Sequence, residues 1–253
     1  MPAPRKWKAS GVVDLHCHIL PGIDDGAVDV EDSVSMAHQG SADGIDLICA
    51  TPHIRHDHDV RISELAWRVE EVNTELERAG IPARVRTGGE VAETILDRLD
   101  DDELRAVSLG GGGRWILLEP APGPLSDSLA AAVEHLRERG FRSLIAHPER
   151  HLTADVDSRL TALIELGALV QATAAYLTAA DTAPTMLELA ARGLIHVLSS
   201  DSHSARRGRP LRISDGLAAL REVEAVAPHL EWIAETAPAA ITRGEEVEAP
   251  FGP

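Results

Sequence analysis

The chain is poor in cysteine, has no long apolar run and carries far fewer basic than acidic residues. Its two cysteines, Cys17 and Cys49, cannot build a disulfide framework. Both sit within apolar runs, where a thiol serves as a small buried hydrophobe, and a reducing, cytoplasmic setting suits such a chain. No segment approaches the roughly 18 apolar residues of a membrane span, so no membrane insertion is expected. The first residues, MPAPRKWKASG, are basic, but Asp14 and two histidines interrupt the place where a signal core would lie. Residues 1–10 are expected to form a flexible tail. With 24 Lys and Arg against 41 Asp and Glu, the net charge is −17. That balance excludes a general nucleic-acid binder, which presents a basic face, and a membrane-surface protein relying on Lys and Arg. Most of the charge reads as a solvated acidic surface; part can be carboxylates offset by bound cations. A linker long enough to split the chain is also missing, since GGGG at 110–113 is a tight loop before a strand. Residues 11–253 are therefore expected to form a single domain, a length that suits one (β/α)-type unit.

What the chain does have is alternation. Strand-like runs at 11–17, 45–50, 83–87, 114–119, 142–146, 168–172 and 194–199 are separated by segments with helical spacing at 31–42, 63–80, 126–140, 157–167 and 184–193, with a last one from Ser214. Ser63 and Ser126 are N-cap-type residues, and Gly80, Gly140, Gly167 and Gly193 close their helices. Strand and helix in strict succession imply parallel strands with right-handed crossovers. Seven such strands predict a barrel with fewer units than the usual eight.

Six of the seven runs carry a metal-type ligand at or just past their last residue. VVDLHCH at 12–18 delivers His16 and His18, IDLICATPH at 45–53 delivers His53, and VRTGGE at 85–90 delivers Glu90. WILLE at 115–119 ends on Glu119, LIAH at 144–147 on His147, and IHVLSSDSH at 195–203 supplies Asp201 and His203. The exception is ALVQAT at 168–173. Function collects at the C-terminal ends of strands in parallel barrels, so these side chains are expected to share one rim. His16 and His18, two residues apart, point to one side and can serve one cation. These five histidines and three carboxylates are too many for a single ion. They suit two or three divalent ions, and imidazole with carboxylate but no thiolate favours Mn, Fe or Zn. Clustered cations activate water and clamp both oxygens of an in-line displacement, most often at a phosphate ester. Arg150 and Arg209, each just beyond a ligand, have forks that match phosphate oxygens.

These stretches resemble the PHP (polymerase and histidinol phosphatase) superfamily. Within it they are most similar to the bacterial manganese-dependent tyrosine-protein phosphatases of capsule and exopolysaccharide loci, the CpsB/CapC-like group. The resemblance rests on DLHCHILPGIDDG at 14–26, ATPH at 50–53, GE at 89–90, LLE at 117–119, IAHPER at 145–150 and SSDSH at 199–203. It implies an α/β fold, a distorted (β/α)7 TIM-like barrel, with three metals and manganese the leading ion. By motif, His16, His18, Glu90 and Asp201 would hold the first ion, Glu90, Glu119 and His147 the second, and Asp25, His53 and His203 the third. Asp24 is the neighbour with which Asp25 is most easily confused. Arg150 and Arg209 match the phosphate-holding arginines. The implied nucleophile is a metal-bridging hydroxide, and the implied substrate is phosphotyrosine on a tyrosine autokinase controlling polysaccharide synthesis. Two departures stand out. The SARRG loop at 204–208 sets Arg206, Arg207 and Arg209 in competition for one role, and QATAAY at 171–176 is less polar than the family's loop. His56 and His58 lie near the rim, and His56 is a candidate proton donor.

Three rivals compete. Cys49 and Arg55 have the Cys-x5-Arg spacing of thiolate phosphatases, but Pro52 removes one N–H from the required cradle. A histidinol-phosphatase or another small-molecule phosphoesterase would use the same site. A catalytically idle metal-binding scaffold would keep the ligands without the chemistry.

Overall fold

The computed structural model describes residues 11–252. Residues 1–10, expected to be a flexible tail, lie outside the described residues. The strands are β1 (Val12–Cys17), β2 (Ile45–Ala50), β3 (His53–Ile54), β4 (Arg84–Thr87), β5 (Glu90–Ala92), β6 (Trp115–Glu119), β7 (Arg142–Ile145), β8 (Leu169–Thr173) and β9 (Val197–Ser199). All pairings are parallel, in two ladders: β1-β2-β4 and β3-β5-β6-β7-β8-β9. Together they make an α/β fold whose parallel sheet forms a half-barrel.

Two of the expected strands, β2 and β4, are each followed after a break by a short strand that was not expected, and both breaks have a local cause. Pro52, with no N–H to give a ladder, separates β2 from β3. Gly88 and Gly89 separate β4 from β5. A Cβ on Gly89 would stand 2.9 Å from both Ile54 Cγ1 and Val107 Cβ, so only glycine fits. The breaks let β3 and β5 re-pair with each other, which sets His53 directly beside Glu90. Backbone bonds stitch the ladders together: Thr51 N donates to Cys17 O at 2.9 Å and Glu90 N to Pro52 O at 3.0 Å. On its other side β1 meets the segment after β9, through Asp201 N to His16 O (2.9 Å) and His18 N to Ser202 O (2.8 Å).

The helices expected from spacing are present as α1 (Val30–Asp43), α2 (Leu65–Arg78), α4 (Asp127–Glu138), α5 (Val156–Glu165), α6 (Ala183–Ala191) and α7 (Ser214–Leu220). In α2 the buried stripe is Leu65, Val69, Val72 and Leu76, one helical face. Ser63 does not cap it; a 3₁₀ turn at Ile62–Glu64 leads in, and Glu64 holds the cap position. Two short helices, α3 (Asp101–Ala106) and α8 (Ala237–Thr242), and a π turn at Trp232–Thr236 were not expected.

Strand residues alternate between two apolar clusters. Val12, Cys17, Ile48, Ile116, Leu118, Ile145, Val170 and Leu198 face the helices. Val13, Leu15, Cys49, Trp115, Leu117, Leu144, Leu169 and Val197 face the concave side, where Ala237 and Ile241 of α8 close over them. Site residues leave from the opposite ends of the same strands.

Candidate metal centre

The nine ligand-type side chains converge around Glu90. Its Oε2 lies 2.8 Å from His53 Nδ1, 3.3 Å from His18 Nε2 and 3.4 Å from His16 Nε2, while Oε1 lies 2.7 Å from His147 Nε2. Glu119 Oε2 is 3.8 Å from His53 Nδ1. Asp201 Oδ1 faces His16 Nε2 at 3.4 Å and His18 Nε2 at 3.7 Å. Asp25 Oδ1 stands between His53 Nε2 (3.4 Å) and His203 Nε2 (3.5 Å). Four groups have ligand atoms close enough to share an ion: His18, Asp25, His53 and His203; His16, Glu90 and His147; His16, His18 and Asp201; and His53, Glu90 and Glu119. The partition differs in detail from that implied by the motifs, since His18 also joins the Asp25 group and His53 also joins Glu119.

The donor set fits cations. His16 Nδ1 faces Gln171 Oε1 at 3.0 Å, His18 Nδ1 faces Asp24 Oδ2 at 2.8 Å, and His203 Nδ1 faces the Asp201 carbonyl at 3.1 Å. Each partner is an acceptor, so each Nδ1 carries the hydrogen and each Nε2 turns a lone pair inward, the usual orientation of a metal-binding histidine. His16 Nε2 and His18 Nε2 then face each other at 3.3 Å, an arrangement that requires positive charge between them. Four buried atoms here have no hydrogen-bond partner: His53 Nδ1, Glu90 Oε2, His147 Nδ1 and Asp201 Oδ1. His53 Nδ1 and Glu90 Oε2 are close but not aligned as donor and acceptor.

Ionisation tells the same story. Burial opposes protonation of His18, yet Asp24 and Glu90 raise it well above the usual imidazole range. His53, against the same penalty, is raised to about 9 by Asp25 and Glu90. Glu90 is held well below the ordinary carboxylate range, with His16 and His147 overcoming its burial. Burial and the neighbouring Glu90 raise Glu119. Positive charge is favoured around His18, His53 and Glu90, whereas burial lowers His147 and pushes His203 down to about 4.

Backbone strain accompanies the ligands. Among the described residues, the only non-glycine positions in the left-handed region are His147 (φ 33°) and Asp201 (φ 47°). Such strain persists where surrounding structure over-determines it, and it clusters at functional sites. Asp14, fully buried, is part of that surrounding structure. Its carboxylate accepts from Ser200 N (3.0 Å), Ser200 Oγ and His16 N (3.3 Å), tying β1 to the Asp201 segment.

The arginines separate. Arg150 and Arg209 both reach Asp201 Oδ2, at 2.6 and 2.8 Å, and Arg209 lies over the Tyr176 ring. Arg206 pairs with Asp29 at the start of α1, away from the cluster. His56 is exposed and its ring faces Arg98 at 3.5 Å, so it is not placed to give a proton at the cluster. His58 is the nearer ring, stacked on His53 at 5.0 Å.

Residues 12–226 match a family described as capsular polysaccharide synthesis, CpsB/CapC. The chain belongs to the CpsB/CapC family. It is 32% identical to the tyrosine-protein phosphatase YwqE of Bacillus subtilis, over 77% of this chain and 78% of that protein. It is 26% identical to the putative tyrosine-protein phosphatase CapC of Staphylococcus aureus, over 76% and 77% of the two chains. A solved structure from work on YwqE of B. subtilis and CpsB of Streptococcus pneumoniae, described as metal-dependent tyrosine phosphatases, superimposes with a TM-score of 0.82 at 27% identity, covering 95% of this chain and 98% of that one.

CpsB/CapC membership puts the thiolate rival aside, and the structure shows why it fails physically. Cys49 lies in the concave apolar cluster, and burial pushes its thiol up to about 12. The Arg55 it would need is committed to Asp57 and to Glu119 Oε1, the latter at 3.0 Å. Arg55 is a rim residue that spacing alone assigned to the wrong constellation. Asp24, Asp14 and Gln171 are supporting residues to which the sequence reading gave no role. Gln171 is a polar side chain inside the one strand that lacked a ligand, and no spacing rule marks such an amide.

Proposed function

We propose that this CpsB/CapC protein is a metal-dependent protein-tyrosine phosphatase that hydrolyses phosphotyrosine on a tyrosine autokinase of capsular or exopolysaccharide synthesis, in the cytoplasm. The observation that carries the reading is the convergence of five histidines and four carboxylates on Glu90, with Arg150 and Arg209 beside them. In this reading His16, His18, Glu90 and Asp201 hold one cation, Glu90, Glu119 and His147 a second, and Asp25, His53 and His203 a third. Manganese leads, with iron or zinc as alternatives. When bound, the cations supply a water of lowered pKa and stabilise charge on the phosphoryl group.

The chain's own residues do the rest. Arg150 and Arg209 present forked donors to phosphoryl oxygens. Gln171, Asp24 and the Asp201 carbonyl hold three imidazoles with their lone pairs inward. No covalent phospho-enzyme is required, and Cys49 has no thiolate to offer. A phenolate leaving group needs less protonation than an alkoxide, so His56→Ala should keep its rate. We also read the strand runs as a distorted (β/α)7 barrel within one domain over 11–253. The bonds of β1 to Thr51 on one side and to Asp201 and Ser202 on the other support closure.

The test is metal content and phosphotyrosine-peptide hydrolysis in wild type, His147→Ala and Cys49→Ser, before and after chelation and metal return. Wild type and Cys49→Ser should lose activity to chelator and regain it, and His147→Ala should lose metal and rate. Activity that survives chelation would sink the metal reading. Equal rates on phosphotyrosine peptide, histidinol phosphate and a generic aryl phosphate would sink the substrate.

A further inference from the structure

We infer that Arg207 is a specificity residue that recognises an acidic side chain next to phosphotyrosine in the substrate polypeptide. The inference rests on the phosphotyrosine reading. Arg207 lines a cavity of about 680 Å³ together with Asp24, Asp25, His203 and Gly26, so it opens onto the same space as the Asp25 group. The loop that carries it is pinned on both sides. Asp32 accepts from Ser204 Oγ (2.8 Å) and Ala205 N (3.0 Å), and Arg206 is clamped by Asp29. Past the tip, Gly208 turns the chain in the left-handed region (φ 79°), and Ser202 Oγ bonds the Arg209 carbonyl at 2.9 Å. Arg207 is left at the tip.

Charge matching singles it out further. Arg55 is matched by Asp57 and Glu119, Arg150 and Arg209 by Asp201, and Arg206 by Asp29. Arg207 makes no hydrogen bond or ion pair with any described residue. The cavity's acids are engaged elsewhere: Asp24 by His18 Nδ1 and Gly26 N, Asp25 beside His53 and His203. A chain of net charge −17 repels an acidic peptide at long range. One unmatched guanidinium at the mouth is the local feature that reverses this, and its fork fits a carboxylate in two-point contact. Arg150 and Arg209 already supply the phosphate's donors, so the charge left for Arg207 is the one that arrives beside the phosphotyrosine.

The test uses two fluorescent peptides in which a non-hydrolysable difluorophosphonate replaces the phosphate. One has Asp and Glu beside that residue, the other Ser and Gln. Binding to the full-length, metal-loaded chain is read by anisotropy. Wild type should prefer the acidic peptide roughly tenfold, the scale of one charge-assisted bond. Arg207→Gln should bring the ratio near one, Arg207→Lys should retain part of it, and high salt should erase it in wild type. A ratio unchanged in Arg207→Gln overturns the inference. So does an equal loss for both peptides, which would make Arg207 a phosphate ligand. If neither peptide binds wild type, the phosphotyrosine reading fails and takes this inference with it.

Discussion

Gln171 and His196 show how much a single buried polar side chain decides. Gln171 touches no ligand-binding space, yet its Oε1 fixes which nitrogen of His16 carries the proton. Gln171→Leu should leave the ligand list intact and weaken metal affinity about 10–100-fold, the usual cost of losing such a partner. Competition with a fluorescent chelator measures it, and an unchanged affinity would remove Gln171 from the site. His196 sits just before β9, at the end of that strand away from Asp201. Its Nδ1 accepts from Val170 N at 3.1 Å, its Nε2 has no partner, and burial pushes it down to about 4. Because that is below the ordinary imidazole value, the unfolded chain takes up the proton first. The stability due to neutral His196 is complete above pH ~6.5 and is lost as pH falls toward 4, roughly 3 kcal/mol in all. In His196→Gln, whose amide oxygen can still accept from Val170, urea unfolding at pH 7 and pH 4.5 should differ less than in wild type. An identical pH slope would show that His196 is not buried neutral. At this scale eight of the nine ligand-type residues were legible because histidine and carboxylate are conspicuous at or just past the end of an apolar run; Asp25 lies in a loop and came only with the family resemblance. Gln171 and Asp14 were not, because an amide or a lone acid inside a strand has no spacing rule; only the fold puts Gln171 against His16 and Asp14 against Ser200.

Between residues and fold stand the loops and broken strands that aim the ligands. The DDG segment is an example of three residues with three roles. Asp25 faces His53 and His203, Asp24 orients His18, and Gly26 lets the loop close on β1. A Cβ on Gly26 would lie 2.2 Å from the His18 carbonyl oxygen and 2.9 Å from Asp24 Oδ1. Gly26→Ala must therefore push the loop outward, dragging Asp24 from His18 Nδ1. The expected outcome is a stability loss of about 1–3 kcal/mol, as for overpacking elsewhere, together with weakened binding at the Asp25 group. Calorimetric metal titration should show at least one site lost or weakened; a titration matching wild type would mean the loop yields without moving its carboxylates. The alternation of elements was readable because helices such as α2 run long enough to show a stripe. The six-residue α3 and α8 are too short to show periodicity, and the breaks at Pro52 and Gly88–Gly89 look in sequence like ordinary strand ends. What sequence could not show is that both breaks re-pair, as β3 beside β5, and so bring His53 to Glu90.

Across the whole molecule, stability and chemistry sit at opposite ends of the same strands. Ligands leave from the C-terminal ends, whereas the C-terminal segment of the chain packs where the strands begin. Trp115, the first residue of β6, donates from Nε1 to the Glu245 carbonyl at 2.8 Å, and Glu246 pairs with both Arg114 and Arg142. Phe251 packs edge-on to Trp232 and against the rings of His196 and His229. In parallel α/β barrels this division is general: residues past the strand C-termini serve function, those at the other face serve the fold. Trp115 is buried in the concave cluster, and Trp115→Ala removes both its packing and the bond to Glu245, a loss of about 3–5 kcal/mol by the precedent of large-to-small core changes. Urea unfolding should show that loss in full. Metal affinity of the folded fraction should stay at the wild-type value, because Trp115 opens β6 whereas Glu119, the ligand-type residue of that strand, closes it. Gln171→Leu should do the reverse, and with no shared contacts the double variant should show the two effects added within about 0.5 kcal/mol. A Trp115→Ala protein that folds but binds metal poorly would mean that the two ends are coupled through the strands, and that the rim depends on the packing beneath it.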